Sequence, residues 1–159
     1  MMKAGESKRP ETKRPKPKRS KVTAGWIENV DLPDLRVFNL RAKLDTGAKS
    51  SALHVEHMVP LGNGRIRFDV VLESPGKQRV RHVEARISRR GRVRSSNGEY
   101  SMRYFISTRM RLGDVEREVE ISLVDRERML YRMLVGRTSL TGMLVDPTRR
   151  HLLDAAPAR

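Results

Sequence analysis

A chain of 159 residues with a formal net charge of +15 is long enough for one domain, and its field attracts anions such as nucleic acid, anionic lipid or acidic protein segments. Cysteine is absent, which excludes disulfides, thiolate zinc sites and cysteine nucleophiles and fits a reducing compartment. No apolar run approaches the roughly 20 residues of a membrane span, and the basic N-terminus lacks the apolar stretch and cleavage site of a signal peptide. A cytoplasmic protein without membrane contact is the expectation.

Residues 1–21, MMKAGESKRPETKRPKPKRSK, hold nine Lys/Arg against two Glu, with three prolines and almost nothing to bury. Such a segment does not offset its ordering entropy, so a disordered basic tail is expected there, with residues 22–159 as the folded domain. The tail reads as a solvated extension; contact with nucleic acid or the ribosome is the functional alternative. From Trp26 onward the dominant period is two, the mark of half-buried strands. Phe38, Leu40, Ala42 and Leu44 alternate with Asn39, Arg41 and Lys43. Ile66, Phe68, Val70 and Leu72 form the next run, and Val83, Ala85 and Ile87 another. Tyr100, Met102, Tyr104 and Ile106 follow, then Val115, Val119, Ile121 and Leu123. Turn signals separate the runs: GNG at 62–64, SPGK at 74–77, SSNGE at 95–99 and LGD at 112–114. Only RTSLTG, 137–142, looks like a short helix. Many short strands with turns between them predict a small all-β barrel or sandwich.

Within the first of these runs, KLDTGAKSSAL at 43–53 places Asp45 at a strand end, with Thr46-Gly47 turning the chain. Asp and Gly are common turn residues, so the triplet alone reads as readily as a tight turn as a catalytic loop. The histidines are His54, His57, His82 and His151. HVEH at 54–57 is not His-Glu-x-x-His, and strand positions three apart face opposite sides, so no metal site is expected. There is no G-x-x-x-x-G-K-[ST] loop, and GNGR at 62–65 is a turn, so no nucleotide cofactor is expected either. Asp146 in LVDPT reads as a turn or pairing residue.

RAKLDTGAKSSALH, VRSSNGEY, MLVGRTSL and LVDPTRRHLL, in this order over about residues 24–153, resemble a bacterial family often labelled ATP-dependent zinc protease, which includes the RimB proteins. The first and third motifs are also similar to those of retroviral-type aspartic proteases. The resemblance implies an all-β fold, a small closed β-barrel of the retroviral-type aspartic protease kind with one short helix. It implies an aspartic peptidase with Asp45 as the catalytic carboxylate. Thr46, Gly47 and Ser51 would support the catalytic loop, Thr46 by locking two such loops together and Gly47 by letting substrate approach a backbone without Cβ. Gly136 and Arg137 would open the short helix packed beneath it. Arg137 is expected to bury its stem and pair with a carboxylate.

Aspartic proteolysis needs two carboxylates sharing one proton. No other Asp here is followed by Thr-Gly or Ser-Gly, so two chains must meet at Asp45 and a homodimer is expected. Asn97-Gly98 is a strong hairpin signal; Ser96, Asn97 and Gly98 are expected to contact substrate as a flap, or to form an ordinary surface hairpin. Lys49 and Ser50 stand where retroviral-type enzymes commonly carry two acidic residues that bind substrate backbone. With the basic charge, this departure points to an acidic substrate. Family members are often encoded beside ligases that add glutamates to proteins, so the resemblance implies a glutamate-rich or glutamylated tail, that of a ribosomal protein included. The zinc and ATP of the family label find no support in these residues. Two other readings stay open: a weakly catalytic protease-like module that contacts RNA or the ribosome, and a metal-dependent hydrolase.

Overall fold

In the computed structural model, which describes residues 20–74, 76–125 and 130–154, the alternating runs become strands. In chain order these are β1 (Thr23–Gly25), β2 (Ile27–Leu32), β3 (Val37–Asp45), β4 (Ser51–His54), β5 (Glu56–Gly62) and β6 (Arg65–Ser74). Then come β7 (Lys77–Arg86), β8 (Arg89–Arg94), β9 (Tyr100–Leu112), β10 (Val115–Val124), β11 (Met133–Gly136) and β12 (Leu144–Asp146). The expected short helix is a 3-10 helix at Arg137–Leu140, and a second one, Pro33–Leu35, joins β2 to β3. The basic segment 1–21, except its last two residues, lies outside the described residues, as does position 75 of the SPGK turn.

β10, β4, β11, β3, β2 and β9 are hydrogen-bonded in that order, and β9 pairs back onto β10. Six strands thus close a small barrel, as expected, and closure removes their unpaired edges. β8 hangs on the outer side of β9, and β5, β6 and β7 form a separate three-stranded sheet. Within the barrel β11 runs parallel to β3, and β10 parallel to β4, while the other pairs are antiparallel. β1 pairs with β12, in parallel, near the two ends of the described chain.

One apolar cluster fills the barrel, with Val30, Leu44, Leu53, Ile106, Ile121 and Val135 among its members. Ile66, Phe68, Val70 and Val83 belong to the same cluster, so the three-stranded sheet packs its apolar face on the barrel. Each fully buried aliphatic or aromatic side chain contributes about 1.5–3 kcal/mol. The alternation in β6 is realised at Ile66, Phe68 and Val70, but Val71, which the period sets on the opposite face, is buried as well. That in β3 is not realised throughout: Phe38 is 53% exposed while Val37 is buried. Asn39 adopts φ 58 and its N–H bonds the Asp31 carboxylate at 2.7 Å, which shifts the phase of the strand before Leu40. Likewise Tyr100 and Met102 point outward, and inward alternation in β9 begins only further along, where Phe105 and Ile106 are both buried. No helix among the described residues is long and apolar enough to cross a membrane.

Candidate active site

Asp45 ends β3 directly beside Gly136, its register partner at the end of the parallel strand β11. The chain leaves the barrel at both points. Thr46 and Gly47 are exposed and Asp45 is half-buried. One carboxylate oxygen of Asp45 accepts the Gly47 N–H at 3.0 Å, and the Ala48 N–H closes the turn on the Asp45 carbonyl at 3.2 Å. The carboxylate therefore sits at the mouth of a tight loop, with one oxygen held and the other turned to no partner among the described residues.

The second motif fastens that loop from below. The backbone N–H groups of Arg137 and Thr138 donate to the carbonyls of Ala48 (2.8 Å) and Lys49 (3.3 Å), and the Thr138 hydroxyl donates to Lys49 at 3.0 Å. The Arg137 guanidinium donates to the carbonyls of Gly47 (3.1 Å) and Thr46 (3.4 Å). Arg137 thus differs from the expected carboxylate partner: it caps the carbonyls of the loop itself, which anchors backbone rather than the helix. Gly136 has no alternative residue at this place. A Cβ there would lie 2.5 Å from the Ser50 carbonyl carbon and 2.9 Å from the Lys49 oxygen, both backbone atoms that cannot yield.

Ser51 is the buried node of the arrangement. Its hydroxyl accepts the Gly136 N–H at 3.0 Å and shares a 2.7 Å hydrogen bond with the Ser139 hydroxyl. Ser122 donates to the Ser51 carbonyl at 3.1 Å, and Arg117 donates to the carbonyls of Ser139 and Thr141. The sequence reading singled out Ser51 but missed Ser139, Ser122 and Arg117. Small hydroxyl residues flanked by buried apolar ones, as in Ile121-Ser122-Leu123, are the signal that could have found the serines.

Lys49 is exposed on the same loop and Ser50 is half-buried behind it. Ser96, Asn97 and Gly98 form the tip of the β8–β9 hairpin. The Gly98 N–H bonds Ser95 (2.9 Å) and the Ser95 N–H bonds Glu99 (2.8 Å), a turn followed by a glycine bulge with φ 86 at Gly98. Ser96 and Asn97 line a cavity of about 560 Å³ with Met58, Arg103 and Asp125, and Asp45 is not among its lining residues. That cavity holds the hairpin tip without Asp45.

Other titratable groups fall into structural roles. Asp146 accepts the Thr148 N–H and hydroxyl at 2.9 and 2.7 Å, which hold its carboxyl below the ordinary value, as suits a turn residue. Asp69 takes His82 at 2.6 Å and His57 at 3.0 Å, and these bonds, that from His82 foremost, lower its pKa. His54 is buried with Glu56 3.6 Å away. Among the described residues Glu28, His151 and Asp154 bring potential ligand atoms within 4.8 Å of one another. They do not fit a zinc ion. The buried Glu28 carboxylate already accepts the N–H groups of Gly25, Leu152 and Leu153, and His151 is bound to Asp154 at 2.8 Å. Glu28, which the sequence reading missed, instead pins the segment after β12 against β1 and β2.

A family model described as retropepsin-like aspartic endopeptidase RimB matches residues 23–155. A probable alpha-L-glutamate ligase of Shewanella halifaxensis is 32% identical over 84% of the chain and 30% of its own length. Another, from Parasynechococcus marenigrum, is 34% identical over 84% of the chain and 29% of its own length. The chain thus spans less than a third of the curated relatives it matches. A crystal structure of a Legionella pneumophila protein of unknown function, Lpg0085, superposes with a TM-score of 0.68 at 28% identity, covering 85% of this chain and 100% of that one.

Proposed function

Because the chain belongs to the RimB-like family of retropepsin-like aspartic endopeptidases, we propose that it is a dimeric aspartic peptidase that hydrolyses peptide bonds in an acidic, glutamate-rich or glutamylated protein tail. The observation that carries this reading is the loop of Asp45, braced by the Gly136-Arg137 motif and holding one carboxylate oxygen on the Gly47 N–H. One such loop per chain supplies half of a dyad, and a two-fold axis beside Asp45 supplies the other half.

In that dimer the two Asp45 carboxyls share one proton, since close like charges do not both ionise. The ionised one takes a proton from a water, whose oxygen adds to the scissile carbonyl carbon. The protonated one hydrogen-bonds the carbonyl oxygen and then delivers its proton toward the leaving nitrogen as the C–N bond breaks. The Arg137 bonds to the carbonyls of Thr46 and Gly47 keep the loop in place while charge moves through it. The exposed Lys49, with the basic surface, favours carboxylates in the substrate. Relatives named glutamate ligases support a link to added glutamates.

The test is cleavage of a peptide ending in α-linked glutamates, followed by mass spectrometry with and without EDTA. Wild type is expected to cut in both, and Asp45→Asn in neither, with sedimentation showing a dimer. Since the chain matches less than a third of relatives named probable alpha-L-glutamate ligase, a second reading is a module that binds glutamylated protein without cutting it. Tight binding by wild type and Asp45→Asn alike, with no product from either, is the outcome that selects it.

A further inference from the structure

Strand β8 reads RRGRVR, with arginine at four of its six positions. The arginine that opens β8 is held by a carboxylate, Arg89 with Glu120 at 2.8 Å, as are Arg65 by Glu84, Arg109 by Asp34 and Arg111 by Asp31 on other strands. Arg90, Arg92 and Arg94 have no acidic partner among the described residues. They alternate along β8 and so share one face, while Gly91 and Val93 turn inward. Their cross-strand neighbours on that face are Tyr104, Met102 and Tyr100. The guanidinium of Arg92 lies 4.0 Å over the Tyr100 ring, and that of Arg90 lies 5.2 Å over Tyr104. Tyr100 and Met102 are 55% and 58% exposed. The rings hold the cations extended without neutralising them.

β8 is also the edge of its sheet, pairing with β9 alone, and it leads straight into the hairpin turn at Ser95–Glu99. Like charges in a row on a free edge are a device against unwanted strand pairing. The same row is complementary to one partner. Alternate residues of an extended peptide recur at about 6.6–6.8 Å, the repeat of Arg90, Arg92 and Arg94 themselves. A strand with a glutamate at every second position therefore meets each arginine in register while its backbone uses the open edge. Nucleic acid offers phosphates but no backbone partners for such an edge.

We propose that β8 is a docking strand for the acidic segment of the substrate, which adds to the free edge as an extended α-linked chain with alternate carboxylates on Arg90, Arg92 and Arg94. This rests on the acidic-substrate reading and assigns it a place outside the catalytic loop. Substrate affinity would then be set on the hairpin and bond cleavage at Asp45, so the two separate experimentally.

The experiment measures binding of fluorescent α-linked octaglutamate by anisotropy on the Asp45→Asn background, and KM and kcat on the active chain. The variants are Arg90→Gln/Arg92→Gln/Arg94→Gln and the matching triple Lys. The Gln variant is expected to bind about tenfold more weakly, ~1.4 kcal/mol shared over three exposed ion pairs. KM should rise while kcat holds, and the salt dependence should flatten. The Lys variant should restore most of the loss. A γ-linked octaglutamate, equal in charge but lacking the strand repeat, should bind wild type little better than the Gln variant. Unchanged KM and affinity in the Gln variant, with wild type still cutting, overturn the docking strand and leave the acidic-tail reading standing. Equal binding of α- and γ-linked chains overturns the strand geometry, and an oligonucleotide that outcompetes the peptide at these arginines overturns the choice of partner. Failure of wild type to bind or cut any glutamate chain overturns both readings.

Discussion

Ser51→Ala removes one oxygen and disturbs two buried groups, and the cost can be apportioned. The Gly136 N–H loses its acceptor at a site where Ser51 is 0% exposed and Ser139 2%. An orphaned buried donor costs about 1–3 kcal/mol, and loss of the shared bond with Ser139 about 1 kcal/mol more. Ser51→Ala is therefore expected to destabilise by about 3 kcal/mol, and Ser139→Ala, which spares the Gly136 contact, by about 1 kcal/mol. In the double variant the second substitution finds the shared bond already gone. The two should couple by about 1 kcal/mol. Urea denaturation followed through the single tryptophan suits the measurement. Trp26 sits edge-on to Tyr131 and under Arg150, so its emission reports the folded packing. Cleavage by Ser51→Ala should fall alongside, because the loop of Asp45 hangs on Gly136. Strict additivity of the two substitutions, or a Ser51→Ala cost under about 0.5 kcal/mol, would refute the view of Ser51 as the node joining both motifs.

Gly136→Ala should destabilise by about 3 kcal/mol, at the upper end of overpacking, and lower the melting temperature by about 10 °C, since its Cβ meets backbone carbonyls; a scanning melt decides it. Glu28→Gln replaces one carboxylate oxygen that accepts backbone N–H with an NH2 group that only donates, at a cost of about 1–3 kcal/mol. Trypsin should then cut earlier at Arg149 and Arg150, as peptide mapping would show. The folded-state pKa of Asp69 lies below its unfolded value because of His82 and His57, so its contribution is complete above the usual carboxylate range near about 3.9 and is lost as pH falls through the folded value. Asp69→Asn should therefore flatten the fall in melting temperature below about pH 4; an unchanged acid limb would contradict this.

How far the sequence carried the reading depended on what each residue answers to. Ile66, Phe68 and Val70 face a single core, so their alternation was plain. Phe38 obeys a bend at Asn39 set by the Asp31 carboxylate, a partner eight residues away that no period of two encodes. β8 escaped the same reading because Val93 is the one apolar side chain among its arginines and glycine; pairing with β9 makes it a strand. Asp45, Gly136 and Arg137 were legible through motif order. The partner of the Arg137 guanidinium was not, since carbonyl acceptors leave no trace in side-chain identity. Glu28 shows the converse: an acid between Ile27 and Asn29 gives no hint that three amides will converge on it.

The parallel seam between β3 and β11 also bears on how the chain is made. Thr46 and Arg137, joined at the loop, stand 91 residues apart. A growing chain exposes its Asp-Thr-Gly early, but that loop has neither its parallel neighbour nor its arginine until Met133–Leu140 has been synthesised. Such distant contacts form late and slowly. Chains that are unfinished, or truncated before Met133, carry the aspartate on an unbraced loop. Assembly order thus withholds the bracing of that aspartate until the barrel has closed.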